Sequence, residues 1–175
     1  MYYDTGIKCS IIKELLKWIP TAEGWTPCAK VETLGFTEVI TPSDEVDVPN
    51  QIMRSDPFFK RVSDSWYYRV YRFAPNYFYP LHVDNSSRRV CFNVQLEDND
   101  ATVFFVEKGV ATQVEYQTGN ITLLDVTKPH AILTKSQERY ILTANPRAKI
   151  DPKYTYEFLL RKFKTDRTVT IKPNM

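Results

Sequence analysis

The apolar positions divide the chain near residue 65. In the first part, Ile7, Ile11, Ile12, Leu15, Leu16 and Ile19 recur at helical spacing before Pro20. This gathers them on one face and predicts an N-terminal amphipathic helix. Residues 20–57 break the rhythm with Pro20, Pro27, Pro42, Pro49 and Pro57 and the acidic group Asp44, Glu45 and Asp47. They predict a loop-rich stretch with at most short strands such as Phe36–Ile40. Such a stretch either wraps the surface or closes over a site as a lid. Ser55-Asp56-Pro57 then sets a capping residue ahead of a first-turn proline and predicts a short helix to about Val62.

From Trp66 the pattern changes to short runs rich in Val, Ile, Thr, Tyr and Phe, at 66–73, 88–96, 101–107, 112–117, 120–126, 130–134 and 139–144. Turn-prone groups such as Ala74-Pro75-Asn76, Asn85-Ser86-Ser87 and Thr118-Gly119-Asn120 separate many of them. Seven or eight short strands predict a mainly β domain, a sandwich or jelly roll rather than a parallel α/β sheet. Tyr154–Phe163 fits either a helix or a strand, and the spacing of Tyr156, Leu159, Leu160 and Phe163 favours a helix. The expected organisation is one domain over 1–175: helix and wrapping over 1–65, the β core over 66–146 and a basic segment over 147–175.

Composition narrows the class. With 175 residues, 43% hydrophobic and 25% charged, the chain matches ordinary globular proteins and holds no apolar run long enough to span a bilayer. Its first residues do not read as a secretory signal, so the expected location is cytoplasmic. Cys9, Cys28 and Cys91 are an odd number without CxxC spacing, which points to reduced thiols rather than disulfides or a zinc cluster. Residues 147–175 carry eight Lys and Arg against three Asp and Glu, leaving the rest at −3 beneath an overall +2. Without interleaved aromatics this basic end reads as a solvated face, and nucleic acid is not the favoured partner.

The chemistry is carried by very few residues. In His82-Val83-Asp84, alternation along an extended chain turns the imidazole and the carboxylate to one side. His130, the second of only two histidines, begins another predicted strand after Pro129. Two distant strands of a jelly roll can bring their ends to one mouth. Two His and one carboxylate on one face of an ion leave open positions that suit Fe(II) with a bidentate keto acid and O₂. No HExxH or cysteine-rich spacing announces zinc. Arg139 opens a strand nine residues past His130, where its guanidinium can meet a carboxylate as a bidentate pair.

The stretch Val70-Tyr71-Arg72-Phe73-Ala74-Pro75-Asn76-Tyr77-Phe78-Tyr79-Pro80-Leu81-His82-Val83-Asp84 resembles the approach to the active site in prolyl-4-hydroxylase-like Fe(II)/2-oxoglutarate dioxygenases. The likeness continues through Arg89–Leu96, the acidic turn and Thr-x-Phe strand at 98–105, Gly119–Asp125, Pro129-His130 and Arg139, and so covers roughly 66–146. It implies a double-stranded β-helix, cupin-like, with the N-terminal helix and one or two further short helices. It implies Fe(II) on His82, Asp84 and His130 and 2-oxoglutarate on Arg139. Two departures stand out. Phe73 occupies the place of a tyrosine whose hydroxyl commonly touches 2-oxoglutarate, which makes Tyr71 the candidate replacement. Asn99-Asp100-Ala101 replaces a glycine-rich turn.

The activity so implied is hydroxylation of an unactivated C–H bond, in a polypeptide residue or a small molecule, with release of succinate and CO₂. Arg69, Arg72, Tyr79, Arg88 and Asn93 fall near the expected mouth as candidate substrate contacts. Two other readings stay open: a cupin-type metal enzyme without the keto acid, and a non-catalytic jelly-roll binding module.

Overall fold

The computed structural model describes residues 1–28, 35, 37–40, 48–62, 66–84, 88–146 and 155–166. In chain order the elements are β1 (Tyr2–Lys8), α1 (Ile12–Trp18), β2 (Thr26–Pro27), β3 (Thr37–Ile40), α2 (Val48–Ser55), α3 (Pro57–Val62), β4 (Trp66–Phe73), β5 (Phe78–His82), β6 (Val90–Gln95), β7 (Thr102–Glu107), β8 (Val110–Gln113), β9 (Asn120–Asp125), β10 (His130–Leu133), β11 (Arg139–Pro146) and α4 (Tyr156–Asp166). Residues 29–34, 36 and 41–47 of the candidate lid, with Asp44, Glu45 and Asp47, lie outside the described residues, as does the basic segment apart from 155–166. No helix among the described residues is long and apolar enough to cross a membrane.

Apart from the β7–β8 hairpin, strands β4 to β11 alternate between two antiparallel sheets. The larger has the order β1-β9-β6-β11-β4-β3-β2 and the smaller β5-β10-β7-β8. Many neighbours are therefore remote in sequence, as where β11 pairs along its whole length with β4. This is the jelly roll expected from the spacing of the strands.

The larger sheet is covered on both faces, which explains why β6 and β9 are buried at every position. Trp66, Tyr68, Val70, Phe92, Leu123 and Leu142 pack beneath Leu15, Met53, Phe59, Leu159 and Phe163 of the helices. Burial of each such side chain contributes about 1.5–3 kcal/mol. The alternate residues Tyr71, Phe73, Cys91, Asn93, Arg139, Ile141 and Thr143 face the smaller sheet and line a cavity. A one-residue slip of β11 would put Tyr140 and Leu142 into that cavity and Arg139 beneath the helices, so the core fixes the register that aims the polar residues.

Several elements differ from expectation. The N-terminal helix begins at Ile12, not Ile7, because residues 2–8 pair with β9 and close the edge of the large sheet. Thr5 donates its hydroxyl to the Ile121 carbonyl at 2.6 Å, and the Cys9 amide donates to the Gly119 carbonyl at 2.8 Å. Gly119 sits at φ +81, where a Cβ would meet Ile12 Cδ1 at 2.8 Å. Helix α2 occupies part of the stretch read as loop, with Pro49 in its first turn, where the missing amide hydrogen removes no helical bond. With α4, the α-helices beyond the first number three, α2, α3 and α4, among the described residues, and a single 3₁₀ turn follows α1 at Ile19–Thr21.

At α3 the capping residue is Asp56, whose Oδ1 accepts from the amides of Phe58 and Phe59 at 2.8 and 3.2 Å. Its Oδ2 accepts from the amide and hydroxyl of Ser10, tying α3 to the start of α1. Strand β8 is Val110–Gln113 rather than 112–117. Lys108 and Gly109, at φ 51 and 78, form a two-residue turn that pairs Glu107 directly with Val110.

Candidate metal centre and cosubstrate cavity

His82 is the last residue of β5, a strand missed in the sequence because Pro80 interrupts it. Strand β5 is formed by pairing with β10, where His130 stands opposite His82 and Ile132 opposite Tyr79. The extra residue at Pro80-Leu81 is accommodated as a bulge, which a proline without an amide hydrogen tolerates. The connection before it is fixed: Thr134 accepts from the Tyr77 amide at 2.8 Å, and Asn76 donates its amide to the Lys135 carbonyl at 2.6 Å. On the other side, β7 holds His130 opposite Phe105, with ring centroids 5.5 Å apart. The Asp84 amide donates to the Val126 carbonyl at 3.1 Å, which pins the carboxylate beyond the end of β5.

These contacts bring together one donor atom from each of His82, Asp84 and His130, all within 4.8 Å of one another. His82 Nε2 lies 3.7 Å from Asp84 Oδ1. Two donors at right angles around an ion about 2.1 Å away stand roughly 3 Å apart, so small side-chain rotations close the set. Val83, between the two β5-end ligands, is 55% exposed, as alternation requires.

Both rings are oriented in the same way. His82 Nδ1 lies 2.9 Å from the Pro80 carbonyl and His130 Nδ1 lies 2.9 Å from the Lys128 carbonyl. A carbonyl only accepts, so each Nδ1 carries the proton and each Nε2 presents a lone pair to the centre. Burial lowers the His130 pKa below its ordinary value, with the neighbouring His82 acting in the same direction, and this keeps the ring neutral.

Asp84 is divided between two partners. Oδ1 faces His82, while Oδ2 lies 3.1 Å from Arg88 Nη1. Arg88 thus forms an ion pair with one carboxylate oxygen, which has no hydrogen-bond partner, and leaves the other facing His82. The Cys91 thiol beside it is fully buried, and burial pushes its pKa up to about 11. Cys9, Cys28 and Cys91 are all free.

Behind the triad lies a cavity of about 140 Å³, comparable with an engineered cavity of about 150 Å³ that holds benzene. Val103, Leu124, Val126, Ile132 and Ile141 give it apolar walls. Arg139 lies at its inner end, 1% exposed, between the rings of Phe73 and Tyr116 at 5.7 and 5.0 Å. Its Nε and Nη2 are buried without a hydrogen-bond partner. Buried guanidinium nitrogens without partners are costly unless a ligand completes them, and their planar fork matches a carboxylate. The same cavity thus holds an unpartnered guanidinium fork suited to a carboxylate and three donor atoms suited to a metal ion, a combination that fits a small keto acid.

The remaining predicted residues separate. Tyr71, Tyr79, Arg88 and Asn93 line the cavity. Tyr79 stands edge-on to His82 at 4.3 Å. Tyr71 accepts a hydrogen bond from Arg69 at 3.4 Å. Arg72 is not brought to the cavity: it turns outward, paired with Glu38 and lying over the ring of Trp25. Sequence reasoning missed Tyr116, which accepts from Asn93 Nδ2 at 3.3 Å and supports Arg139 from below. It also missed Thr37 and Tyr77 in the cavity wall. Tyr116 and Thr37 belong to no recognisable motif, although the Val114 and Tyr116 alternation hinted at an inward pair; Tyr77 lies in the stretch 70–84, where nothing marked it as a cavity residue.

No family model matches the sequence, and no curated protein matches it. Solved structures do. A prolyl-4-hydroxylase from Pseudomonas putida superposes with a TM-score of 0.63 at 16% identity, over 84% of this chain and 91% of that one. HygX from Streptomyces hygroscopicus, with nickel and 2-oxoglutarate bound, gives 0.60 at 11% identity over 83% and 81%. A prolyl hydroxylase from Trichoplax adhaerens, in complex with a hypoxia inducible factor peptide fragment, gives 0.60 at 12% over 83% and 82%. At these identities the likeness is one of fold, and this chain has the double-stranded β-helix fold of prolyl-4-hydroxylase and other 2-oxoglutarate–Fe(II) oxygenases.

Proposed function

We propose that the chain is a single-domain Fe(II)- and 2-oxoglutarate-dependent dioxygenase that hydroxylates an unactivated C–H bond. His82, Asp84 and His130 would hold the ion, and Arg139 the far carboxylate of 2-oxoglutarate. The observation that carries the reading is the buried Arg139 fork, with two nitrogens lacking any partner, in the same cavity as the His-Asp-His set. A metal enzyme without the keto acid, or a binding module, leaves that buried charge unexplained.

When bound, the ion and keto acid would supply the oxidising power, one atom of O₂ entering the new hydroxyl and the other the succinate formed with CO₂. The protein supplies orientation. The Pro80 and Lys128 carbonyls fix the imidazole tautomers, and Arg88 restricts Asp84 to one donor oxygen. The apolar walls keep bulk water from the keto acid. Tyr71 stands close enough to Arg69 and the cavity to give its hydroxyl to the cosubstrate in place of the tyrosine that Phe73 replaces. Tyr79, beside His82, would meet substrate near the metal, and Asn93, bonded to Tyr116, would meet it from deeper in the cavity. The fold neighbours include one with a peptide bound and one with hygromycin B bound, which supports polypeptide and small-molecule substrates alike.

Anaerobic addition of Fe(II) and 2-oxoglutarate tests the reading. A visible charge-transfer absorption that needs both components is expected. Metal binding without that absorption would leave the metal-only enzyme, and binding of neither would leave a non-catalytic module.

A further inference from the structure

We propose that the mouth of the cavity is an anion subsite built on Arg69 and Arg88, and that the substrate is a small carboxylic acid bound through its free carboxylate. The inference rests on the oxygenase reading above and narrows its substrate class.

The argument begins with strand alternation. On β11, residues 139, 141 and 143 line the cavity. Thr143 stands opposite Arg69 on β4, so Arg69 lies on the same face of the sheet, just outside the cavity lining, and its Nη1 donates to the Tyr71 hydroxyl at 3.4 Å. Arg88 reaches the same wall from the segment before β6. The two guanidinium groups therefore flank Tyr71 at the open end, away from Arg139.

Charge then decides what they await. A divalent ion, the Asp84 carboxylate and a doubly charged keto acid leave one net negative charge, which Arg139 cancels. Among the described residues Arg88 has only Asp84 as a carboxylate partner, and in the loaded site the ion would share that group. Arg69 has no carboxylate partner among the described residues; its contacts are the Tyr71 hydroxyl and the ring of Tyr67, at 4.9 Å. Arg69 Nε and Arg88 Nε are both buried and unbonded. The complete site would thus be left with two positive charges on half-buried side chains, which a carboxylate would pair.

A ligand with a free carboxylate, such as a small carboxylic acid or the carboxylate end of a free amino acid, can pair with both guanidinium groups. An internal residue of a polypeptide, with its carboxyl in an amide bond, cannot.

The test uses full-length protein with Fe(II) and 2-oxoglutarate under anaerobic conditions. Free L-amino acids are titrated beside their methyl esters, and beside peptides holding the same residue internally. Perturbation of the charge-transfer absorption reports binding, and succinate release in air reports turnover. At least one free acid is expected to bind tenfold or more tightly than its ester. Arg69→Met is expected to weaken that acid tenfold or more and leave the unperturbed absorption in place, while Arg69→Lys restores part of the affinity. Equal response to acid and ester, stimulation by internal peptides alone, no response to any acid, or unchanged acid affinity in Arg69→Met overturns the subsite while leaving the oxygenase reading intact. Absence of the absorption in the unaltered protein removes the oxygenase reading itself, and this inference with it.

Discussion

Replacing Arg139 with methionine should move stability and cosubstrate affinity in opposite directions. The side chain is 1% exposed, and burial lowers the guanidinium pKa, with Tyr116 partly offsetting the shift. Without ligand, the wild-type protein bears the desolvation of a buried ion, several kcal/mol. The rings of Phe73 and Tyr116 return about 0.5–2 kcal/mol each. Methionine fills most of the aliphatic volume and carries no charge, so the ligand-free variant should be more stable by about 1–2 kcal/mol. For a domain of this size that is roughly 2–8 °C in Tm.

Affinity for 2-oxoglutarate should fall by about 2–5 kcal/mol, the usual loss when one partner of a buried charge pair is removed, or roughly 30- to 5,000-fold. Anaerobic titration of the keto acid against the Fe(II) protein measures the second effect, and thermal unfolding without ligand measures the first. Unchanged affinity would refute the role assigned to Arg139. A ligand-free variant less stable by more than 2 kcal/mol would show that the guanidinium is structural.

Three further outcomes are expected. Arg88→Met frees Asp84 Oδ2, and metal affinity by calorimetry should drop about 10- to 100-fold; an unchanged value would mean that the 3.1 Å contact does not position the ligand. The lowered His130 pKa means that the unfolded chain, near 6.5, takes up its proton first on acidification, so stability of the metal-free protein should be full above that pH and fall below it. Urea unfolding of His130→Gln across pH 5–7.5 should show a shallower dependence. Gly119→Ala forces a side chain into φ +81 beside Ile12 and should cost about 1–2 kcal/mol, with Gly119→Asn milder because asparagine tolerates that region.

How far the sequence spoke for itself depended on whether an element owes its form to its own residues. The runs that became β4, β6, β7, β9 and β11 carry β-branched and aromatic residues along their length, and α3 announces itself through Asp56 and Pro57. Strand β5 does neither: Pro80 argues against it, and only the partner strand β10 makes it extended. Strand β1 shares Ile7 with a helical periodicity and is recruited by the free edge of β9. The triad was legible because the chain has only two histidines and one of them precedes an aspartate by two residues. Arg72 was misplaced for a local reason: it alternates with Tyr71 and Phe73, so once those face the cavity it faces Glu38. Tyr116 follows the end of β8, outside any strand, and only folding brings it under Arg139.

A crystal structure with Mn(II) and 2-oxoglutarate, located by anomalous scattering, tests the central claim most directly. The account places one ion in contact with Nε2 of His82, one oxygen of Asp84 and Nε2 of His130, and the far carboxylate of the keto acid on the fork of Arg139. An ion bound elsewhere, or a keto acid that leaves Arg139 without a partner, would contradict it.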